Sequence, residues 1–153
     1  MKPNIERGNL YTPANLAKYD HVGFTSNGVL KNNGALVMGA GNAKVVRDMF
    51  VGIDKRLGDV LRQSHTPKGG VYNYRIVLDT DTNIFALQTK LHWRDNTPMD
   101  LLKLSISLLE RSALARPHQT FACPLPGIDR GGIDRDVVVA LLADISNLTW
   151  FEL

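Results

Sequence analysis

Lys90 closes an apolar run in Phe85-Ala-Leu-Gln-Thr-Lys-Leu-His-Trp-Arg94. A lysine at a strand end facing a cleft can act as a nucleophile or as a fixed positive charge, because partial burial lowers its pKa toward a usable free amine. The other reading is a surface lysine whose stem lies along apolar neighbours. Trp93 reads as core or cleft wall, and Arg94 as a surface ion-pair partner. Two glycine loops stand elsewhere in the chain: Met38-Gly-Ala-Gly-Asn42, and the stretch from Pro124 to Asp136 that holds Gly127, Gly131 and Gly132. Each precedes a predicted helix. Glycines permit close backbone approach, and a loop entering a helix aims free N–H groups and the positive dipole end outward. Two such cradles suit the two phosphates of a diphosphate, with a strand-end cleft left for sugars.

Other chemistries fit less well. A dinucleotide fingerprint fails because Lys44 stands where the third glycine would be, and no Gly-Lys-Ser/Thr marks a Walker loop. His21, His65, His92 and His118 are scattered without metal-ligand spacing, so no metal site is expected. Asp129 and Asp134 can serve as acid or base near the second loop, although aspartate at a helix start is commonly a cap.

The elements that must position these residues follow from hydrophobic periodicity. Short strands are expected at Asn9-Leu-Tyr-Thr12 and His21 to Thr25. The apolar steps from Val46 to Leu61 give a helix over about 42 to 51 and a second, or a kinked continuation, to about 63, since Gly52 and Gly58 interrupt the stripe. Tyr72 to Leu78 and Ile84 to Thr89 form a hairpin around Asp79 to Asn83. Thr97 and Pro98 read as N-cap and first residue of a helix with Leu101, Leu102, Leu104, Ile106, Leu108 and Leu109 on a wide apolar arc. Thr120 to Pro124 suits a strand covered on both faces. Val137, Val138, Leu141, Leu142 and Ile145 mark a last helix, and Leu148 to Leu153 a last strand. Strands alternating with helices, plus one hairpin, imply an α/β fold: a three-layer α/β/α sandwich over a mixed sheet.

The chain has 153 residues, 44% hydrophobic and 22% charged, as expected of one globular domain with its own core. A net charge of +3 tolerates a nucleotide-like or polyanionic partner, and no block of basic residues suggests a nucleic-acid-coating tail. Cys123 is the only cysteine, which excludes an internal disulfide and fits a reducing compartment. The first eight residues lack the apolar stretch of a signal peptide, and no run of 18 apolar residues occurs, so a cytoplasmic protein without membrane contact is expected.

Four blocks, in order, resemble the macro domain family of ADP-ribose-binding α/β/α modules. They are Arg7-Gly-Asn-Leu10, Ser26-Asn-Gly28 through Val37-Met-Gly-Ala-Gly41, Thr89-Lys-Leu-His-Trp-Arg94, and Cys123-Pro-Leu-Pro-Gly127 through Gly131-Gly-Ile133. The third is the most specific, and it is similar to the catalytic-lysine branch: the antitoxin that removes ADP-ribose from DNA, and the terminal ADP-ribose protein glycohydrolase. The resemblance implies a single macro domain over 1–153. It places Asn9 and Leu10 beside the adenine, and Gly39, Ala40, Gly41, Asn42 and Ala43 on phosphate and distal ribose. Gly127, Ile128, Asp129, Arg130, Gly131, Gly132 and Ile133 would wrap the diphosphate from the other side. Lys90 is the implied catalytic residue, attacking or electrostatically stabilising the anomeric carbon of the distal ribose. No cofactor is implied. The partner would be ADP-ribose or ADP-ribosylated DNA or protein, and the chain a monomer.

Three departures bear on these roles. Either Asn27 or Asn33 can be the asparagine expected near the distal ribose, with Asn27 preferred. Position 131, an aspartate in the protein glycohydrolase, is glycine here, as in the DNA-specific relatives. The repeat of Gly-Ile-Asp-Arg at 127 and 132 permits a five-residue shift in the match. Three activities stay open: removal of ADP-ribose from a macromolecule, retention of ADP-ribose without turnover, and phosphatase action on ADP-ribose 1″-phosphate. A structural domain with degenerate loops is the fourth reading.

Overall fold

The structure is a computed structural model, and it describes residues 2–153. Six strands form one sheet in the order β1-β6-β5-β2-β4-β3. They are β1 (Asn4–Arg7), β2 (His21–Ser26), β3 (Ile76–Asp79), β4 (Ile84–Gln88), β5 (Phe121–Pro124) and β6 (Leu148–Glu152). All neighbours pair in parallel except β3, which runs antiparallel to β4 at one edge. The helices are α1 (Pro13–Lys18), α2 (Gly41–Met49), α3 (Ile53–Ser64), α4 (Met99–Ala115) and α5 (Arg135–Leu141).

Side chains alternate across the sheet as the pleat requires. Val22, Phe24, Ile84, Ala86, Ala122 and Phe151 face one core with residues of α2 and α3. Phe85, Leu87, Phe121, Cys123, Leu148 and Trp150 face the other with residues of α4 and α5. The expected α/β/α sandwich over a mixed sheet is therefore present, and its two-sided burial explains why β4 and β5 are apolar at successive positions. Gly23 has a packing reason: a β-carbon there would collide with the Phe85 ring.

Several expected boundaries shift. The first strand is Asn4–Arg7, not Asn9 to Thr12; it is only partly apolar because it is an edge strand beside β6. Asn9 to Thr12 is instead the approach to α1, where Asn9 Oδ1 accepts from Tyr11 N at 2.9 Å and Thr12 Oγ1 accepts from Asn15 N at 3.2 Å. Thr12-Pro13 is a cap followed by proline at N1, a start signal that the strand reading overlooked. The hairpin's first strand begins at Ile76 because Arg75 adopts φ 66°, which takes Tyr72–Arg75 out of the ladder. Gly52, at φ 84°, separates α2 from α3. Thr97 does not cap α4: Pro98 holds that position, and Thr97 N–H bonds the Gly131 carbonyl at 3.0 Å. Asp134 sits at the N-cap position of α5 but its side chain makes no capping hydrogen bond. That helix stops at Leu141, so Ile145 reaches the core from the following loop.

Ion pairs join the layers, Arg135 of α5 to Glu152 of β6 at 2.7 Å and Arg56 of α3 to Asp79 at the end of β3. Asp79, 3% exposed, accepts from Arg56 Nε and Nη2 at 3.0 Å each and from Thr82 Oγ1 at 2.7 Å, tying α3 to the β3–β4 turn. Burial alone would raise its carboxyl pKa, but the Arg56 and Thr82 hydrogen bonds and the arginine charge outweigh it and the net shift is downward. Asp79→Ala is expected to lower unfolding free energy by about 1–3 kcal/mol, read from the urea midpoint, because the hydrogen bonds to this buried carboxylate are lost and Arg56 keeps only the exposed Asp81, at 3.4 Å, as an ion-pair partner. The folded-state pKa lies below the unfolded one, so this contribution is present above the ordinary aspartate range and is lost as pH falls through the depressed value. The stability difference between parent and mutant should accordingly shrink on acidification.

Candidate functional site

Strand β2 leads to β4 on one side, whereas its other neighbour, β5, leads away to β6. This reversal opens a crevice beyond the carboxyl ends of β2 and β5, where parallel α/β sheets bind ligands. A cleft of about 440 Å³ occupies that place. Its lining comes from the end of β2, the start of α2, the segment after β4, and the loop after β5.

From the first glycine loop, Gly39, Ala40, Gly41, Asn42 and Ala43 line the cleft. Lys44 N–H reaches back to Ala40 O, at 3.3 Å, so the amides of Gly41, Asn42 and Ala43 before it have no intrahelical acceptor. The helix has no side-chain cap and no acid in its first turn, which leaves its positive end available to an anion. Asn42 anchors this turn to β2, its Oδ1 accepting from Thr25 N at 2.7 Å. Gly41 has φ 60°, while at Gly39 nothing lies within 4 Å of an added β-carbon.

The opposite wall is Gly127, Ile128, Asp129, Arg130 and Gly131. Ile133 N–H closes the loop onto Gly127 O at 3.0 Å, and Gly127 and Gly132 take φ 79° and 76°. The expectation placed the start of α5 at this site; the lining comes from the loop alone, and Asp134 and Arg135 at the helix start are not part of it. At Gly131 an added β-carbon would meet Thr97 Oγ1 and stand 2.5 Å from Gly127 O.

Lys90 lies between the two walls. Thr89 N–H and Lys90 N–H both reach Ser26 O, at 2.9 and 3.3 Å, which fixes the backbone just past β4. The lysine amine donates to Arg130 O at 2.9 Å and Trp93 O at 3.4 Å. Burial, and then the nearby Arg130 charge, pull its pKa below the ordinary lysine range; Asp95 opposes them. Trp93 lines the cleft mouth, 49% exposed, with the Arg94 guanidinium 5.1 Å from its ring centroid.

Asn27 lines the cleft, but its amide is engaged with the backbone, donating to Val37 O at 3.0 Å and accepting from Val29 N at 2.9 Å. Asn33 is away from the crevice in the Lys31–Gly34 turn. Asn9, Leu10, Gly132 and Ile133 are not among the lining residues; Leu10 is wholly buried in the core and Asn9 is exposed at the entry to α1. The sequence reading missed Thr25, Ser26, Val37, Thr89 and Leu125. The signal for most of these is positional, since four of them stand at or just after the carboxyl ends of central strands. Among the described residues no group of histidine, cysteine and acids could hold a metal, and no helix is long and apolar enough to cross a membrane.

No family model and no curated protein matches the chain at sequence level. Solved structures do match in three dimensions. The macrodomain of Thermus aquaticus DarG aligns at TM-score 0.68 and 19% identity over 98% of this chain and 97% of that one. The macrodomain of Mycobacterium tuberculosis DarG gives 0.63 and 17% over 99% of both. Thermosipho africanus DarTG in complex with ADP-ribose gives 0.69 and 16% over 98% of this chain and 42% of that longer one. At such identities the likeness is one of architecture, and it establishes that this chain has the macrodomain fold.

Proposed function

We propose that the cleft binds ADP-ribose and that the protein is an ADP-ribosyl hydrolase, releasing ADP-ribose from modified DNA or protein. The observation that carries this reading is the Lys90 amine between the uncapped start of α2 and the Gly127–Gly131 loop, its pKa lowered by burial and by Arg130. Likeness in fold to a structure that contains ADP-ribose supports the choice of ligand. In the reaction, the diphosphate would lie between the two backbone cradles, directing the distal ribose toward Lys90. The neutral amine adds to the anomeric carbon as the bond to the macromolecule breaks and the leaving atom takes up a proton. Loss of the ring oxygen from that carbon opens the sugar and gives an imine, and water then returns free ADP-ribose and the amine. If the lysine instead stays charged, it would stabilise the leaving group electrostatically.

A second reading is retention of ADP-ribose without turnover. It draws on the two carbonyls that hold the Lys90 amine and on the absence of a carboxylate at Gly131. Incubation with ADP-ribosylated single-stranded DNA, ADP-ribosylated protein and ADP-ribose 1″-phosphate, followed by chromatography of released nucleotide, separates the cases. Release from a macromolecule is expected. Micromolar binding with no release from any substrate supports the retention reading, and turnover of the phosphate ester alone would make the protein a phosphatase.

Gly39 gives a direct test of the first cradle. Because an added β-carbon there meets nothing within 4 Å, Gly39→Val should leave the thermal midpoint nearly unchanged. The side chain would stand in the cleft, and ADP-ribose affinity by calorimetry is expected to fall at least tenfold, about 1.4 kcal/mol. Undiminished affinity would remove Gly39 from the binding surface.

A further inference from the structure

Gln88 is wholly buried, yet its amide uses its full hydrogen-bonding capacity. Its Oε1 accepts from Tyr74 N and Arg75 N, both at 2.8 Å, while its Nε2 donates to Tyr72 O at 2.8 Å and to Lys90 O at 3.1 Å. Two N–H groups on one side and two carbonyls on the other leave the amide a single orientation. The side chain thus joins the segment that crosses from α3 to β3 with the backbone of the lysine itself. Gly28 permits this closeness, for a β-carbon there would collide with Tyr72 O and lie 2.8 Å from Gln88 Nε2. From the opposite layer, Ser105 in α4, also wholly buried, donates its hydroxyl to Gln88 O at 2.6 Å.

We infer that Gln88, braced by Ser105, is the positioning residue for Lys90, fixing the point at which its side chain leaves the sheet and enters the cleft. This rests on the hydrolase reading for its catalytic consequence, but the positioning can be tested without it. Two observations favour a role beyond fold stability. A polar side chain at this point of a buried strand needs four partners where an apolar residue needs none, so burying it is costly unless every bond is made. One of the four partners is the carbonyl of the residue whose amine, at the far end of its side chain, must meet a reacting carbon. Small displacements at such a root have large effects at the tip, and a misplacement of about 1 Å can cost two orders of magnitude in rate.

Gln88→Met keeps length and volume while deleting all four bonds, and Ser105→Ala deletes only the brace. The charges near the lysine amine, Arg130 and Asp95, are retained in both variants. Competitive labelling of lysine amines with site-resolved mass spectrometry gives the titration of Lys90 in each protein. In Gln88→Met it is expected to move up toward that of a free lysine, and kcat for ADP-ribose release to fall at least tenfold with KM within threefold. Ser105→Ala should move both in the same direction, by about threefold in kcat. Should Gln88→Met fail to fold by circular dichroism, Ser105→Ala decides alone. A folded variant in which Lys90 titrates as in the parent and kcat per active molecule is unchanged overturns the inference. If the parent itself releases no ADP-ribose, the hydrolase reading falls and the labelling alone decides the positioning.

Discussion

Lys90→Ala is expected to reduce ADP-ribose release at least a hundredfold, about 2.7 kcal/mol of transition-state stabilisation, with ADP-ribose affinity held within threefold. The split follows from the geometry, since in the proposed binding mode the diphosphate would be held by backbone amides of α2 and of the Gly127–Gly131 loop, which the mutation does not touch. Some loosening of that loop is expected, because the amine's bond to Arg130 O disappears. Lys90→Arg separates the two chemical roles. A guanidinium keeps the charge but cannot form an imine, so it should be as inactive as alanine if the amine is the nucleophile and partly active if charge alone matters. Borohydride added during turnover should fix ADP-ribose covalently to Lys90 in the nucleophilic case. The pH profile has a defined sign. The amine must be neutral to attack, so kcat should rise with pH and level off below the ordinary lysine range, as its lowered pKa requires. Asp95 raises that pKa, so Asp95→Asn should move the rising limb to lower pH. An undiminished rate in Lys90→Ala would remove the residue from the chemistry.

How far this arrangement could be read from the chain depends on the range of the forces involved. The helical stripe from Val46 to Leu61, the break at Gly52 and the hairpin around Asp79–Asn83 are local, and the expected elements lie where the structure has them within a few residues. Failures arise where a distant partner overrides local preference. Thr97 looks like a cap in isolation, but α4 starts one residue later, with Pro98 at the N-cap, and Thr97 is tied by its N–H to Gly131, far along the chain. Tyr72–Arg75 looks like strand, but the Gln88 amide and Gly28 draw it off the ladder. In the cleft, both glycine loops and Lys90 were legible because glycine-rich turns and a lysine after an apolar run are unusual in themselves. Thr25, Ser26, Thr89 and Leu125 carry no such mark, and only strand order brings them to one crevice. Asn27 shows the converse case: the expected side chain is at the cleft, with its amide committed to Val37 and Val29.

Gly131→Asp would place a carboxylate where the resemblance to protein glycohydrolases puts a catalytic one, and it is expected to impair the protein. The reason is space. Any β-carbon at this position meets Thr97 Oγ1 and comes 2.5 Å from Gly127 O, and the Gly131 carbonyl is already the acceptor for Thr97 N–H. The obstacles are backbone and a buried hydroxyl, neither of which can swing aside as a long side chain could. Overpacking of this kind costs about 1–3 kcal/mol, and the loop must open to relieve it. Opening would part Gly127 from Ile133 and move Arg130 O away from the Lys90 amine, so both the proposed phosphate cradle and the lysine's support are disturbed together. ADP-ribose affinity should therefore fall at least tenfold and ADP-ribose release by more, measured by calorimetry and product chromatography. Gly131→Ala is the deciding control. It carries the same β-carbon without the acid, so the two variants should be impaired alike if space governs the outcome. Activity gained by aspartate and lost by alanine would show instead that the loop yields to a side chain, and that a carboxylate at position 131 supplies what Asp129 and Asp95 do not.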